Sequence, residues 1–256
     1  MHRRLALSTL LLPAAAQQVL AGPAPLVAAA SDLKFALEEI AADFERATGQ
    51  RVRLVFGSSG QFFAQIRQGA PFELFLSADE HFVFQLAVAG LAKDRGRLYA
   101  RGRIGLLVAH GSPLRADASL GDLALALKDG RLRKLAIAHP DHAPYGMRAR
   151  EALQHAGLWQ AVQPHLVRGE NVSQATQFAA SGQAEAGIVA ASLGQAPAIA
   201  AKGRFVLLPE TWHQALNQRM ALLKSASPAA RAFYTHLQSE PARAALQRHG
   251  FEVPAP

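Results

Sequence analysis

Cysteine is absent from the 256 residues, which excludes disulfides and thiolate metal sites and leaves stability to the core alone. Tryptophan occurs only as Trp159 and Trp212, which read as packing residues rather than sugar-stacking platforms. Acidic residues are in the minority, 19 against 27 basic ones, for a formal net charge of +8 at pH 7. No dense basic block stands behind that excess. The nearest are Arg95-Gly96-Arg97 with Arg101-Gly102-Arg103, and Lys128 with Arg131-Leu132-Arg133-Lys134, which read as solvated faces. No nucleic-acid-binding motif accompanies them, so no nucleic-acid partner is expected. After residue 21 no segment reaches the roughly 18 uninterrupted apolar residues of a membrane-spanning helix.

Half of the chain is hydrophobic, enough for a substantial core in one large domain or two small lobes. The N-terminus reads as a cleavable secretory signal over 1–21. His2-Arg3-Arg4 is its basic start, Leu5 to Leu12 its apolar run, and Val19-Leu20-Ala21 its small-residue cleavage site. A periplasmic location follows as an expectation.

The remainder alternates strand-type runs with helical periodicity, which predicts an α/β fold with mainly parallel sheets. Strands are expected at Pro25 to Ala30, Arg51 to Phe56, Phe72 to Leu76, Ile104 to Ala109, Leu135 to Ala138, His165 to Arg168, Ala186 to Ala190 and Phe205 to Leu208. Gln218 to Leu223 is a further candidate, and Pro228 to Leu237 and Pro241 to His249 are expected as terminal helices. Two lobes would be joined by crossings within Arg101 to Ala109 and Phe205 to Glu210.

Four polar turns stand out, each at an expected helix start: Ser31-Asp32, Gly57-Ser58-Ser59-Gly60, Ala143-Pro144-Tyr145-Gly146 and Gly169-Glu170-Asn171-Val172. A helix start offers unpaired backbone N–H groups and partial positive charge. Several converging starts would hold an anion with neither a metal nor a catalytic base. In parallel sheets such turns lie at the carboxyl ends of strands, where ligands bind. Asp32 is expected to cap its own helix, turning its N–H toward the ligand, and Asp79 and Asn171 are further caps. Tyr145 is expected to be exposed at the ligand.

Other chemistry is weaker. His139-Pro140-Asp141-His142 does not have the spacing of a helical metal pair, and no metal cation is expected. The Gly-Ser-Ser-Gly spacing is neither the Gly-x-Ser-x-Gly nucleophile elbow nor a phosphate loop with its Lys. A secreted hydrolase using Ser31 or Ser59 stays open, and would need a His and an acid beside that Ser.

Six blocks occur in order: Val27-Ala28-Ala29-Ala30-Ser31, Phe56 to Gly60, Gly69-Ala70-Pro71-Phe72 through Ser77-Ala78-Asp79-Glu80, Ala143 to Gly146, Gly169 to Val172, and Ala184 to Val189. Together they closely resemble the periplasmic molybdate-binding proteins of ABC importers, over about residues 25 to 252. The resemblance implies a two-lobed type II binding-protein fold with the ligand cleft between lobes. One lobe would comprise 24–104 plus 208–256, the other 105–207. It implies a monomer that is no enzyme, needs no cofactor, captures molybdate or tungstate, and delivers it to a membrane permease. The implied oxyanion ligands are Ser31 and Ser59 from one lobe, and Tyr145 and Val172 from the other. Asp32 adds a backbone N–H. The chain departs from many members in carrying Ala190 where they have a Tyr whose hydroxyl reaches the ligand, and Tyr145 where they have Ala or Val. Sulfate or phosphate remains the alternative ligand.

Overall fold

The computed structural model describes residues 23–255, so the segment read as a signal lies outside the described residues. Ten strands form two five-stranded sheets. The first contains β1 (Leu26–Ala30), β2 (Arg53–Gly57), β3 (Leu74–Ser77), β4 (Arg97–Gly102) and β10 (Leu216–Leu222), in the order β2-β1-β3-β10-β4. The second contains β5 (Ile104–Ala109), β6 (Leu135–Ala138), β7 (Leu166–Gly169), β8 (Ala186–Ala190) and β9 (Gly203–Leu207), in the order β7-β6-β8-β5-β9. In each sheet the strand in fourth place, β10 or β5, runs against its neighbours, and the other strands share one direction. The sheets are therefore mainly parallel with one reversed strand each. The chain passes from the first sheet to the second at Arg103, between β4 and β5, and returns after Leu207 to enter β10.

Strand β4 was not anticipated, because its arginines suggested a solvated face. They flank a bulge in an edge strand: Arg101 pairs with Asn217 and Arg97 with Met220, and both are exposed, while Tyr99 and Ala100 between them are buried. Long side chains at an edge keep the strand soluble without removing it from the sheet.

Side chains alternate between strand faces. Val27 and Ala29 of β1 join the helices Lys34–Thr48, Pro228–His236 and Glu240–Arg248 in one cluster, where Phe44 meets Phe233 edge-on at 5.1 Å. Ala28 faces the other way, toward Phe62, Phe75 and Leu86. Central strands that are buried on both faces read as unbroken apolar runs, as β5 and β8 do.

Register places the four turns. Ala30, the last residue of β1, pairs with Gly57, the last of β2, so the turns that follow lie side by side. Ala138 of β6 pairs with Gly169 of β7 in the same way. From these ends start the 3-10 turn Ser31–Leu33, then Ser59–Arg67, Pro144–His155 and Val172–Ala180, two starts from each sheet. The caps at Asp79 and Asn171 form as expected, accepting from His81 N at 2.9 Å and Gln174 N at 3.1 Å.

Candidate functional site

The four starts meet around one small cavity. Ala30, Ser31, Gly57, Ser58, Ser59 and Ala78 of the first sheet line it, with Ala143, Pro144, Tyr145 and Val172 of the second. No lining residue is charged. Its volume is about 10 Å³, room for a water-sized group in this closed arrangement. Two lining hydroxyls are held by the backbone. Ser59 Oγ accepts from Ala78 N at 2.9 Å, and Ser31 Oγ accepts from Ser173 N at 3.3 Å. Each hydroxyl thereby uses a lone pair on its own lobe or its neighbour and keeps its O–H to donate. Among the described residues neither donates to a protein acceptor. Two buried O–H donors, beside helix starts with their orphan N–H groups, suit an oxyanion that only accepts.

Of the expected ligand residues, Ser31, Ser59, Tyr145 and Val172 line this cavity and Asp32 does not. Two expectations need correction. Asp32 does not cap its helix: the helix Lys34–Thr48 follows Leu33 with no side-chain cap, and Asp32 sits inside the preceding 3-10 turn. Its carboxylate is instead buried, 1% exposed, with Oδ2 accepting from Tyr145 Oη at 2.9 Å and from Gln218 Nε2 at 2.6 Å. Tyr145 is likewise not exposed but 3% accessible, and its hydroxyl is spent on Asp32. Pro144 opens the helix with φ already set, and this start carries the ring inward rather than to solvent.

Burial raises the Asp32 carboxyl to about 6, and the hydrogen bonds from Gln218 and Tyr145 and from the backbone N–H groups of Asp32 and Leu33 only partly offset it. Burial also holds the Tyr99 and Tyr145 hydroxyls well above the ordinary tyrosine range, so both stay neutral donors.

Several bonds cross between the sheets. Gly60 N donates to His142 O at 2.9 Å, Ser173 Oγ to Ser31 O at 2.9 Å, and Ser192 Oγ to Asp32 O at 2.9 Å. At the cavity's rim Ser58 Oγ lies 2.9 Å from His142 Nδ1, and Gln61 Nε2 donates to Glu170 at 2.7 Å. Neither Ser31 nor Ser59 has a His partner. Ser58 does, but it also caps its helix by accepting from Gln61 N, and Glu170 stands 3.8 Å from His142 Nε2. This row is a clasp between the two halves rather than a nucleophile with its base. The stacked His139 and His142 rings belong to the same rim, and no cluster of three metal-ligating side chains occurs among the described residues.

Sequence reasoning missed Gln218, Tyr99, Ser173 and Ser192. Gln218 had a signal: Leu216, Gln218 and Met220 share one buried face of β10, so a polar side chain there requires a partner. A larger groove of about 600 Å³ opens beside Lys34, Gln174, Gln177 and Lys202, but it faces solvent and has mixed lining.

Comparison with known proteins agrees with this geometry. A family model described as bacterial extracellular solute-binding protein matches residues 25–252. The molybdate-binding protein ModA of Rhodobacter capsulatus is 37% identical over 247 residues, covering 94% of this chain and 91% of that protein. ModA of Escherichia coli is 32% identical over 234 residues, with 89% and 88% covered. The solved periplasmic molybdate-binding protein of Azotobacter vinelandii superposes with a TM-score of 0.80 at 29% identity, over 90% of this chain and all of that one. The sulfate-binding protein SubI of Mycobacterium tuberculosis shares the fold, with a TM-score of 0.75 at 18% identity. The chain belongs to the bacterial extracellular solute-binding proteins, in the family of the molybdate-binding proteins.

Proposed function

We propose that this protein captures molybdate outside the cytoplasm and delivers it to the membrane permease of an ABC importer. The observation that carries this reading is the uncharged cavity walled by four helix starts and two free serine O–H donors. Ser31 and Ser59 donate through their hydroxyls, and Tyr145 and Val172 through backbone N–H groups, while Asp32 stands behind the cavity with its own N–H toward its carboxylate. Tyr145 contributes its N–H alone, because its hydroxyl serves Asp32. Neutral dipoles spread the stabilisation of a dianion without a counter-cation. Cavity size selects the ion, and tungstate, with the same shape and charge, binds alongside molybdate. A protonated phosphate would leave its O–H without an acceptor.

Two lobes, 24–104 with 208–256 and 105–207, close on the ion as a monomer, and the cross-lobe bonds of the rim form on closure. Both lobes contact the ligand, which supplies the differential affinity that closure requires. The segment 1–21 directs export and is removed.

Thermal unfolding of the mature protein with molybdate, tungstate, sulfate, phosphate or no addition tests the reading. Ligand at about 1,000 times its dissociation constant stabilises by roughly 4 kcal/mol. Stabilisation by molybdate and tungstate alone is expected. Stabilisation by sulfate or phosphate instead would overturn the substrate, and none by any anion would overturn the function.

A further inference from the structure

The least expected feature of the site is an acid directly behind it. Ser31 lines the cavity, and the next residue places a carboxylate in the protein interior. Every group facing that carboxylate is neutral. Tyr145 reaches it from the helix Pro144–His155, and Gln218 from β10. Tyr99 of β4 donates to Gln218 Oε1 at 2.7 Å, which turns the amide so that its N–H groups face Asp32 and Tyr145. Ser192, after β8, covers the Asp32 carbonyl. Among the described residues no Lys or Arg pairs with Asp32, while buried Arg148 is committed to Asp79, Glu151 and Gln214. One carboxylate oxygen, Oδ1, is buried with no side-chain partner and no well-formed hydrogen bond, and the backbone N–H groups of Asp32 and Leu33 only weakly support the carboxylate.

Tyr145 and Ser192 belong to the second lobe, so the burial of Asp32 is completed only when the lobes meet. A bound dianion would then share a low-dielectric interior with an unpaired carboxylate, a repulsion that neutral donors cannot cancel. We propose that the site binds a proton together with its oxyanion, with Asp32 Oδ1 as the proton's position. This rests on the oxyanion-binding reading above. The proton comes from solvent as the lobes close and returns to it when they open, so the closed complex carries one negative charge fewer than the anion and carboxylate would together.

The direction follows from linkage. In the open protein Asp32 has an ordinary carboxyl, and in the closed one it sits at about 6 before the anion's own charge is added. The group therefore favours the closed state below that value, and the favour is lost as pH rises through it. Binding should be about tenfold tighter at pH 5 than at pH 8, with about half a proton taken up per anion at pH 6. Burial and the neighbouring His139 lower the His142 imidazole at the rim, against Glu170 and Asp141, so it is a second titratable group near the cleft. The contribution of Asp32 is therefore read as the difference between wild type and Asp32→Asn, which preserves the acceptor for Tyr145 and Gln218.

The test is calorimetric titration of molybdate at pH 6 in buffers of different ionisation enthalpy, with both proteins, plus dissociation constants from pH 5 to pH 8. The account expects proton uptake in wild type, loss of that uptake in Asp32→Asn, and equal or tighter binding by the variant at pH 8. Anion binding with no proton uptake, or with the same uptake in both proteins, overturns the proposal and leaves the function standing. Failure of wild type to bind any oxyanion overturns both. Should Asp32→Asn fail to fold, Gln218→Met serves: losing the donor to Asp32 should move the pH dependence of binding upward, and an unmoved profile contradicts the proposal.

Discussion

Replacing Gly60 with Ala should separate closure from folding. Gly60 is the second residue of the helix Ser59–Arg67, and its N–H donates to His142 O at 2.9 Å across the lobes. A Cβ at this position would stand 2.5 Å from that same carbonyl oxygen and 3.0 Å from His142 Cα. Both neighbours are backbone and cannot swing aside, so the lobes must part locally. The closed state then loses a hydrogen bond, about 1 kcal/mol, and gains strain or lost packing of about 1–3 kcal/mol. The sum, about 2–4 kcal/mol, weakens molybdate binding roughly 30- to 1,000-fold. The open lobe feels the opposite effect, since Ala in a helix is favoured over Gly by up to about 1 kcal/mol. For a chain of this size that raises the ligand-free melting temperature by up to about 2–4 °C. Calorimetric titration and thermal unfolding of the same preparation check both halves. Wild-type affinity in Gly60→Ala, or a ligand-free protein destabilised as much as binding is weakened, would refute the reasoning.

Ser59→Ala removes a charge-assisted donor, worth about 1.5–3 kcal/mol, and should weaken molybdate about 10- to 150-fold in an equilibrium titration. The ligand-free melting point should also drop, because the Ala78 N–H loses its acceptor. Tyr145→Phe keeps the backbone N–H, and so should weaken binding less than Ser59→Ala while raising the Asp32 carboxyl, visible as an upward-shifted pH profile of affinity. Ala190→Tyr introduces the side chain that the family resemblance leads one to expect there, but Ala190 is fully buried here. Overpacking should cost about 1–3 kcal/mol of stability in denaturant unfolding, with no gain in affinity.

The alternation of strands and helices was legible because central parallel strands are apolar throughout and their helices begin at polar turns. That places the four turns carrying Ser31, Ser59, Tyr145 and Val172 at the carboxyl ends of strands, and the resemblance to the molybdate-binding proteins picks out those residues within them. What the chain hid was side-chain direction. Asp32 reads as a cap by its position, yet its neighbours at 99, 145 and 218 come from distant parts of the sequence and outcompete the local helix end. Tyr145 reads as exposed because turns usually are, but here the turn lies where two lobes meet. Strand β4 was masked by arginines that an edge position tolerates. Gly60 could pass for a flexible turn until the opposing His142 backbone was in view.

Anomalous diffraction at the molybdenum edge, from crystals of the mature protein grown with molybdate, tests the central claim most directly. The account predicts one strong peak in the cavity between Ser31, Ser59, Tyr145 and Val172, with the Asp32 carboxylate outside the ion's contact shell. A peak in the open groove beside Lys34 and Lys202 instead, or no peak at a saturating concentration, would contradict it.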